Sequence, residues 1–401
     1  DDSASLKQAF AKNPAVDDGK GNKTVTVEVA ADITLGANES LEDLLADRDE
    51  KVIVDLNGHK LTQVAATQYV PKMDVTFKDG ELAFTATQGI GAASSLINPT
   101  GSGKFTLDGV KMTTKAGTAI FAEYAKEAVE GGEYQLAIPE IVINNSTIEA
   151  AGGYAVSTNA SLKDAENADS SVSGDTTVTS SFPEVKITIT DSTLTAGSAT
   201  VPGTALFINV PADVTVTGST LTANYQVVVV RGGDVEIVNS TLNLLNTYTE
   251  DSVEDQMAAW LEEEDNTGKT EAEAWAAVVG GDTNISTIQA HRRGITMQEY
   301  RLAGLWDQGN GVPRAVITVG NSNTSAYQYT SKLTVSASVE VNNATSYPNL
   351  VIGSYYGEGL IVPEDSTAVT VDVPGTNVWT PTYCKNVQSG TITFNGAVVN
   401  K

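Results

Sequence analysis

Apolar and polar residues follow one ten-residue pattern that occurs eight times along this chain. Its first and third residues are large and apolar, its fifth is Gly, Asn or Asp, and another apolar residue follows three positions later. Residues two apart face the same side of a strand, and Gly, Asn and Asp best tolerate a positive φ. The pattern therefore predicts a strand, a tight left-handed bend and a second strand. The fifth positions are Gly58, Asp79, Gly109, Asn145, Asp191, Gly218, Asn239 and Gly396.

The spacing of the copies indicates how they assemble. Among the first seven copies the post-bend residues are as close as 21 positions (Leu61 to Leu82) and as far apart as 46 (Ile148 to Leu194). Repeats of this length are typical of solenoids, because one unit cannot bury its apolar face alone. A third apolar segment follows the second strand at 117–121, 153–156, 203–207 and 225–230. We therefore predict an all-β fold, a parallel β-helix with three strands per coil. A β-sandwich, which also uses short strands with frequent turns, is the alternative.

Four regions follow from this pattern. Residues 1–24 are predicted to be an N-terminal cap that contains a short amphipathic helix over 5–10, and residues 25–248 are the β-helix coils. Residues 249–312 interrupt the pattern and are predicted to be a helical insertion. Strands resume after Gly311, so residues 313–401 are predicted to continue the β-helix, with a last coil corner at Gly396.

The insertion has the marks of helices. Val253, Met257, Trp260 and Leu261 are spaced as the apolar stripe of an amphipathic helix. Residues 251–254, 270–273 and 296–299 each resemble a capping box, in which a side chain at the helix start and one three residues later satisfy free backbone amides. We expect a small helical unit that projects from the coils.

The insertion also holds the candidate ligand-binding residues. Three of the four tryptophans and most of the six arginines lie within it or directly after it. Tryptophans that stack on sugars and arginines that pair with uronate carboxylates would form an acidic-glycan site. The alternative is that the tryptophans form the insertion's own core and the arginines neutralise the acidic run at 262–265. The candidate ligand-binding residues are His291, Arg292, Arg293 and Trp306.

Net charge and cysteine content limit the classes of partner and of metal site that we expect for this chain. Fifty acidic residues against 24 basic ones give a formal charge of −26, which argues against nucleic acid and anionic membrane surfaces. Cys384 is the single cysteine, so no disulfide framework and no cysteine metal site is expected. No apolar run is long enough to span a membrane. We expect no cofactor, an exported location, and a leader removed before Asp1.

Catalytic signatures are weak. Asp79, Asp108 and Asp191 lie at or beside the bends, but Gly and Asn occupy the same positions in other copies, as a conformational requirement would produce. His59 follows the first bend at a position that carries serine in four later copies, which suggests a generic polar corner residue. Those serines are Ser146, Ser192, Ser219 and Ser240. No calcium-binding loop with alternating Asp or Asn is present.

The order of elements at the start carries a resemblance. The helical segment at 5–10, the strands at 25–29 and 31–35, and the Asp-Leu-Asn-Gly-His sequence at 55–59 resemble pectate-lyase-like right-handed β-helix proteins of bacterial surfaces, often described as adhesin-like. The resemblance covers residues 1–248 and implies a right-handed coil whose helix caps the N-terminal end. It implies a secreted or cell-surface protein for adhesion or glycan binding, without catalysis. A polysaccharide lyase or glycoside hydrolase is the first alternative, and a structural stalk or spacer is the second.

Overall fold

Three ladders of parallel strands organise this chain in a computed structural model. The model describes residues 3–45, 48, 50–71, 73–86, 95–97, 103–122, 125–128, 134–158, 184–208, 212–230, 233–249, 253–278, 314–319, 331–336, 338–352, 369–372, 381–383, 391–394 and 397–400. The fold is mostly β, with long parallel sheets and few helices. The parallel β prediction is thereby confirmed.

The first ladder is built by the strands that precede the bends. Each strand pairs in parallel with the equivalent strand of the next copy. A short strand, β1 (Val16–Asp17), pairs antiparallel with its first member. The ladder consists of β2 (Lys23–Glu28), β4 (Lys51–Asp55), the first halves of β6 (Val75–Phe84) and β8 (Lys104–Thr114), β12 (Glu140–Asn144), β15 (Val185–Thr190), β18 (Ala212–Thr217), β21 (Gly233–Val238), β24 (Ser331–Val335) and β27 (Val369–Asp372).

The second ladder is built by the strands that follow the bends. Because β6 and β8 run through the bend without interruption, they join both ladders into one 18-stranded sheet. The ladder consists of β3 (Ile33–Thr34), β5 (Lys60–Gln63), the second halves of β6 and β8, β13 (Thr147–Ala150), β16 (Thr193–Ala196), β19 (Thr220–Ala223), β22 (Thr241–Leu244) and β25 (Glu340–Asn343).

The third ladder is a separate eight-stranded sheet. It contains the four segments predicted as third strands, and every pairing in it is parallel. Its strands are β7 (Ser95–Ile97), β9 (Thr118–Phe121), β14 (Tyr154–Ser157), β17 (Thr204–Ile208), β20 (Gln226–Val230), β23 (Ala315–Val319), β26 (Leu350–Ile352) and β28 (Pro381–Tyr383).

The bends adopt the left-handed conformation that the sequence predicts. At the seven bends that the structure describes, the predicted residue has a φ between 45° and 78°. Non-glycine residues adopt it at four of them, with φ 55° at Asp79, 45° at Asn145, 47° at Asp191 and 48° at Asn239. A short polar side chain tolerates this region because it can bond locally to the backbone.

The apolar residues that the pattern places on one side of each strand are buried and stack in columns. Ile143 pairs in register with Ile189, and Leu194 with Leu221, and all four side chains are buried. Val216, Ile237, Ile148 and Leu242 extend the same two columns and are buried as well. Because one side of every strand faces this interior, the apolar columns from successive copies form one continuous core.

The eighth copy of the pattern does not form another bend of this kind. β29 (Thr391–Phe394) and β30 (Ala397–Asn400) pair antiparallel, so the predicted coil corner at their connection is wrong. The connecting dipeptide is Asn-Gly, and Gly396 itself lies outside the described residues. Asn-Gly between apolar strands is the strongest signal for a two-residue hairpin, which accounts for the difference. A second antiparallel pair is formed by β10 (Ala125–Ala128) and β11 (Tyr134–Ala137).

Two helices contribute side chains to the core beside the first strands, and the amphipathic pattern predicts the first of them. Helix α1 (Ser3–Lys12) buries Leu6 and Phe10 in the main core. A second helix, α2 (Leu41–Leu45), buries all three of its leucines there. The burial of these side chains removes their apolar surface from water, which favours the folded state.

Two helices also lie where the stripe and the capping box predict them. They are α3 (Val253–Glu262) and α4 (Glu271–Val278), with a 3₁₀ turn at Glu264–Asn266 between them. The Thr270 hydroxyl accepts a hydrogen bond from the Glu273 amide, and the Glu273 carboxylate accepts bonds from the Thr270 amide and hydroxyl. This reciprocal pair is the capping box that the sequence predicts at 270–273.

Candidate functional site

The residues predicted to bind a ligand cannot be placed. His291, Arg292, Arg293 and Trp306 lie outside the described residues. Of the two other tryptophans of the insertion, Trp275 is fully buried and Trp260 is half-buried on the neighbouring helix. Because its side chain is fully buried, Trp275 cannot stack on a ligand.

Arg314, at the end of the arginine-rich stretch, holds two parts of the chain together. Its guanidinium is buried and donates to the carbonyl oxygens of Leu245 at 3.1 Å and Tyr248 at 3.2 Å. It also lies 4.7 Å from the ring centre of Tyr347. Arg314 thus ties the chain that leaves the second ladder at 245–248 to the chain that enters β23.

The third ladder presents no open face in its central strands. All side chains of β17, β20 and β23 are buried, whereas strands of the other two ladders alternate between buried and partly exposed residues. A sheet buried on both sides is continuously apolar, as these strands are. Among these central strands, partly exposed side chains lie on the first and second ladders, as in β18 and β19.

An open depression lies at the N-terminal edge of the first ladder. Its volume is about 820 Å³. The turn between β1 and β2 forms one wall, and the starts of β2, β4 and β6 form the floor. Met73 contributes the apolar part of the lining. The polar side chains that line this N-terminal depression are Asp18, Asn22, Lys23, Thr24, Glu50, Lys51 and Asp74.

The turn that forms its wall is held by its own aspartates. Asp17 accepts hydrogen bonds from the amides of Gly19 and Gly21, at 2.8 and 3.3 Å. Asp18 accepts a bond of 2.8 Å from the Asn22 side chain and one of 2.7 Å from the Lys20 amide. These bonds, led by the one from Asn22, hold the pKa of Asp18 below its ordinary value. The wall is therefore ordered without a ligand.

Several lysines on the outer faces pair with carboxylates of neighbouring strands. Such pairs between exposed side chains contribute about 0–1 kcal/mol each, so they mainly balance charge. Lys23 and Lys51, like Lys115 and Lys186, form no ion pair with any residue the structure describes. The cross-strand pairs are Lys60–Glu81 at 2.7 Å, Lys104–Glu140 at 2.9 Å and Lys111–Glu149 at 3.0 Å.

The residues at the bends are structural. His59 is partly exposed, with its Nδ1 3.5 Å from an oxygen of Asp32. The four serines at the same position of later copies are buried, unlike generic polar corner residues, and each bonds to the backbone. The sequence shows their alignment but not their burial, which depends on the strand stacked beside each one.

Three carboxylates lie close together at the starts of β15, β18 and β21. Burial, followed by the charges of Asp213 and Asp234, raises the pKa of Glu184. Among the described residues, no group of three or more His, Cys, Asp or Glu side chains is arranged to hold a metal ion. This cluster therefore offers local repulsion and no ligand set.

Within the described ranges, no helix has both the length and the apolar character needed to cross a membrane. No protein-family model matches this chain, and neither a curated protein nor a solved structure shows significant similarity to it.

The N-terminal depression was missed by the sequence reasoning. Its lining comes from three stretches, at 18–24, 50–51 and 73–74, that only the ladder brings together. One local signal was available. The Asp-Asp-Gly-Lys-Gly-Asn run at 17–22 has the composition of a tight turn and is followed directly by a strand that begins with lysine.

Proposed function

We propose that this protein is a pectate-lyase-like right-handed parallel β-helix, exported to the cell surface, that binds glycans or mediates adhesion without catalysis. The order of the strands supports the three-strand coil. Consecutive strands enter the first, second and third ladders in turn, as β15, β16 and β17 do, and the next three strands repeat the sequence. Right-handed connection is the rule for parallel strands, which supports that handedness.

The N-terminal depression is the observation that carries the binding role. Its volume of about 820 Å³ falls in the range of roughly 300–1,000 Å³ that is typical of small-ligand sites. Saccharides present many hydroxyl groups, which both donate and accept hydrogen bonds. The lining matches this chemistry with ammonium and amide donors at Lys51 and Asn22 and carboxylate acceptors at Glu50 and Asp74.

The position of the depression suits recognition without conformational change. Its floor is the start of three hydrogen-bonded strands, with Thr24 opposite Lys51 and Val52 opposite Val75. Groups carried on paired strands lose little further conformational freedom when a ligand binds, so ordering the site costs little binding free energy.

A glycan array probed with the intact chain, followed by calorimetric titration of each hit, tests this function. We expect a saccharide ligand whose binding is weakened by Glu50→Ala/Lys51→Ala. The matched control is Lys186→Ala/Glu236→Ala, which removes the same two charges from exposed positions of the same ladder. Binding to no glycan, or equal weakening by both double variants, would overturn the proposed site.

A structural stalk is the second candidate, and the buried serines favour it. Their hydroxyls accept hydrogen bonds from amides of the preceding copy, at 3.0–3.1 Å, so that successive copies are joined inside the fold as well as through the strands. Such reinforcement suits a rigid spacer. Single-molecule stretching distinguishes the roles, since a stalk requires resistance to force and a glycan receptor does not.

A further inference from the structure

We infer that Asn239 is a site of spontaneous deamidation in the folded protein, whereas contacts between successive copies shield Asn145 and Asn57 from the same reaction. This modification needs only water and is independent of the proposed binding role. All three asparagines lie at bends and have positive φ.

Deamidation of asparagine is a reaction within the chain. The backbone nitrogen of the following residue attacks the side-chain carbon Cγ, and a C–N bond forms as the bond from Cγ to Nδ2 breaks. Ammonia leaves with the proton that the attacking nitrogen loses, and a succinimide ring remains. Water then opens the ring at either carbonyl, which yields aspartate or isoaspartate. The rate therefore depends on whether the attacking nitrogen can lose its proton and turn towards Cγ.

Asn145 and Asn239 are a matched pair in sequence and in conformation. Each begins an Asn-Ser-Thr sequence, at 145–147 and 239–241. Their φ values are 45° and 48°. Both asparagines are exposed, and the serine that follows each of them is buried. A large difference in rate between the two must therefore come from the neighbouring strands.

The attacking amide is held at one of these sites and not at the other. The Ser146 amide, which follows Asn145, donates a hydrogen bond to the Ser192 hydroxyl, with 3.0 Å between N and Oγ. Among the residues that the structure describes, the Ser240 amide has no hydrogen-bond acceptor. A hydrogen bond keeps the proton on nitrogen and fixes the peptide plane, and breaking it in a buried setting costs free energy. Attack by the Ser146 nitrogen is thus hindered, and attack by the Ser240 nitrogen is not.

The register of the strands explains this difference. Thr241 pairs with Glu340 of β25, the next strand of the second ladder. Val339, the residue before Glu340, therefore takes the register position beside Ser240 that earlier copies fill with a serine. Valine has no hydroxyl to accept a bond, so the series of hydrogen-bonded serines ends at Ser240.

Asn57 provides a second comparison. It precedes Gly58, and glycine makes an asparagine more reactive than serine does, because no side chain hinders the attack. The Gly58 amide, however, donates to the backbone carbonyl of Asp79 in the next copy, at 2.6 Å. The fold should therefore slow the reaction at Asn57 much more than it slows the reaction at Asn239.

The modification would weaken the last contact in the series of serines. The Ser240 hydroxyl accepts the Ser219 amide at 3.1 Å. An isoaspartate at position 239 adds a carbon to the backbone directly before Ser240 and so displaces this hydroxyl. Molecules that carry the isoaspartate should unfold more easily than unmodified ones.

Ageing of the full chain at mildly alkaline pH, followed by peptide mapping with tandem mass spectrometry, tests the inference. Deamidation at Asn239 should be about tenfold faster than at Asn145, which corresponds to about 1.4 kcal/mol of activation free energy. In urea these two rates should converge, because the reacting sequences are identical. The rate at Asn57 relative to that at Asn239 should rise by about tenfold or more in urea.

Two serine variants separate the hydrogen bond from general stability. Ser192→Ala removes the acceptor of the Ser146 amide and should raise the rate at Asn145 to about that at Asn239. Ser219→Ala is the matched control, because it removes an equivalent buried hydroxyl whose donor is the Ser192 amide. The control should leave the rate at Asn145 unchanged. Circular dichroism checks that each variant stays folded during ageing.

Equal rates at Asn145 and Asn239 in the folded wild type would overturn the inference without any variant. Equal acceleration at Asn145 by both serine variants would also overturn it, because a general loss of stability would then be the cause. If Ser192→Ala does not fold, the comparison of folded and urea-treated wild type decides. None of these measurements involves a ligand, so their outcome does not depend on the proposed glycan binding.

Discussion

The backbone amide of Ser146 donates a hydrogen bond to the hydroxyl of Ser192, in the next copy of the repeat, with 3.0 Å between N and Oγ. The same bond joins Ser192 to Ser219 and Ser219 to Ser240. Each hydroxyl in turn donates to the carbonyl two residues before it, as Ser146 does to Asn144 at 2.7 Å. These four residues form a serine column inside the fold in which every hydroxyl is used as donor and acceptor, as buried polar groups require.

Removing one hydroxyl from the serine column should destabilise the protein. Ser192→Ala leaves the buried amide of Ser146 without its acceptor, which costs about 1–3 kcal/mol of unfolding free energy. Urea unfolding followed by circular dichroism measures the change. Thr188→Ala, an exposed hydroxyl on β15, is the matched control and should shift stability by less than about 0.5 kcal/mol. Equal effects of both variants would contradict the role of the column.

Replacing the glycine at one bend should also be costly. Gly218 has a φ of 60°, and a Cβ there would contact the carboxylate of Asp191 in the preceding copy. A β-branched residue is strained in this region, so Gly218→Val should destabilise the protein by about 1–3 kcal/mol. Gly218→Asn is the control, because Asn145 and Asn239 adopt the same conformation. An unchanged melting curve for the valine variant would refute the requirement for a positive φ.

The core columns predict a large effect of a single truncation. Leu221 is fully buried between Leu194 and Leu242 of the adjoining strands. Leu221→Ala should cost roughly 2–5 kcal/mol, since a close-packed interior cannot refill the cavity. The urea midpoint gives the measurement, with Thr188→Ala again as the surface reference. A loss below that range would mean that the adjoining strands collapse into the space.

One carboxylate near the N-terminal helix should make stability depend on pH. Hydrogen bonds from the Ser3 side chain, the Gly36 amide and the Lys7 ammonium lower the pKa of Glu39 from 4.5 to about 2. A carboxyl group with a lowered pKa stabilises the folded state above its unfolded value, and that stability is lost as pH falls through the folded value.

The comparison of wild type with Glu39→Gln tests this dependence. The advantage of wild type in melting temperature should be complete at pH 7 and should shrink from about pH 4.5 down to about pH 2. Thermal unfolding at a series of pH values follows it. A difference that is the same at both ends of this range would exclude an ionised Glu39 as the cause.

The insertion makes a separate prediction about ligands. If His291, Arg292, Arg293 and Trp306 contribute to an acidic-saccharide site, Arg292→Ala/Arg293→Ala should weaken uronate binding. The effect should fade at high salt, because exposed charge pairs are screened. Lys115→Ala/Lys186→Ala removes the same charge and serves as the control in calorimetric titration. Identical binding by wild type and the arginine variant would favour a structural role for the insertion.

Local sequence rules were sufficient to predict the seven described bends and the core. A positive φ is a property of one residue, so the recurrence of Gly, Asn and Asp predicts it directly. Burial of alternate residues follows from strand geometry, so Ile189 and Leu194 could be assigned to the interior from spacing alone. The amphipathic helix at the start and the capping box at Thr270 were predictable for the same reason.

Tertiary contacts decided what local rules could not. Asn57-Gly58 has positive φ at both residues and lies between strands that pair in parallel with neighbouring copies, whereas the strands on either side of Asn395-Gly396 pair with each other. The same dipeptide permits both arrangements, and the partner strands select one.

The N-terminal depression and the serine column are each formed by residues that lie far apart in the sequence. Thr24 lies opposite Lys51 because β2 pairs with β4, and Ser146 meets Ser192 across 46 positions of chain. The sequence by itself determined which residues bend and which face inward, because those properties are settled within a few residues. The tertiary structure determined which residues line the depression and which hydroxyls are buried, because both depend on neighbours that only the ladder supplies.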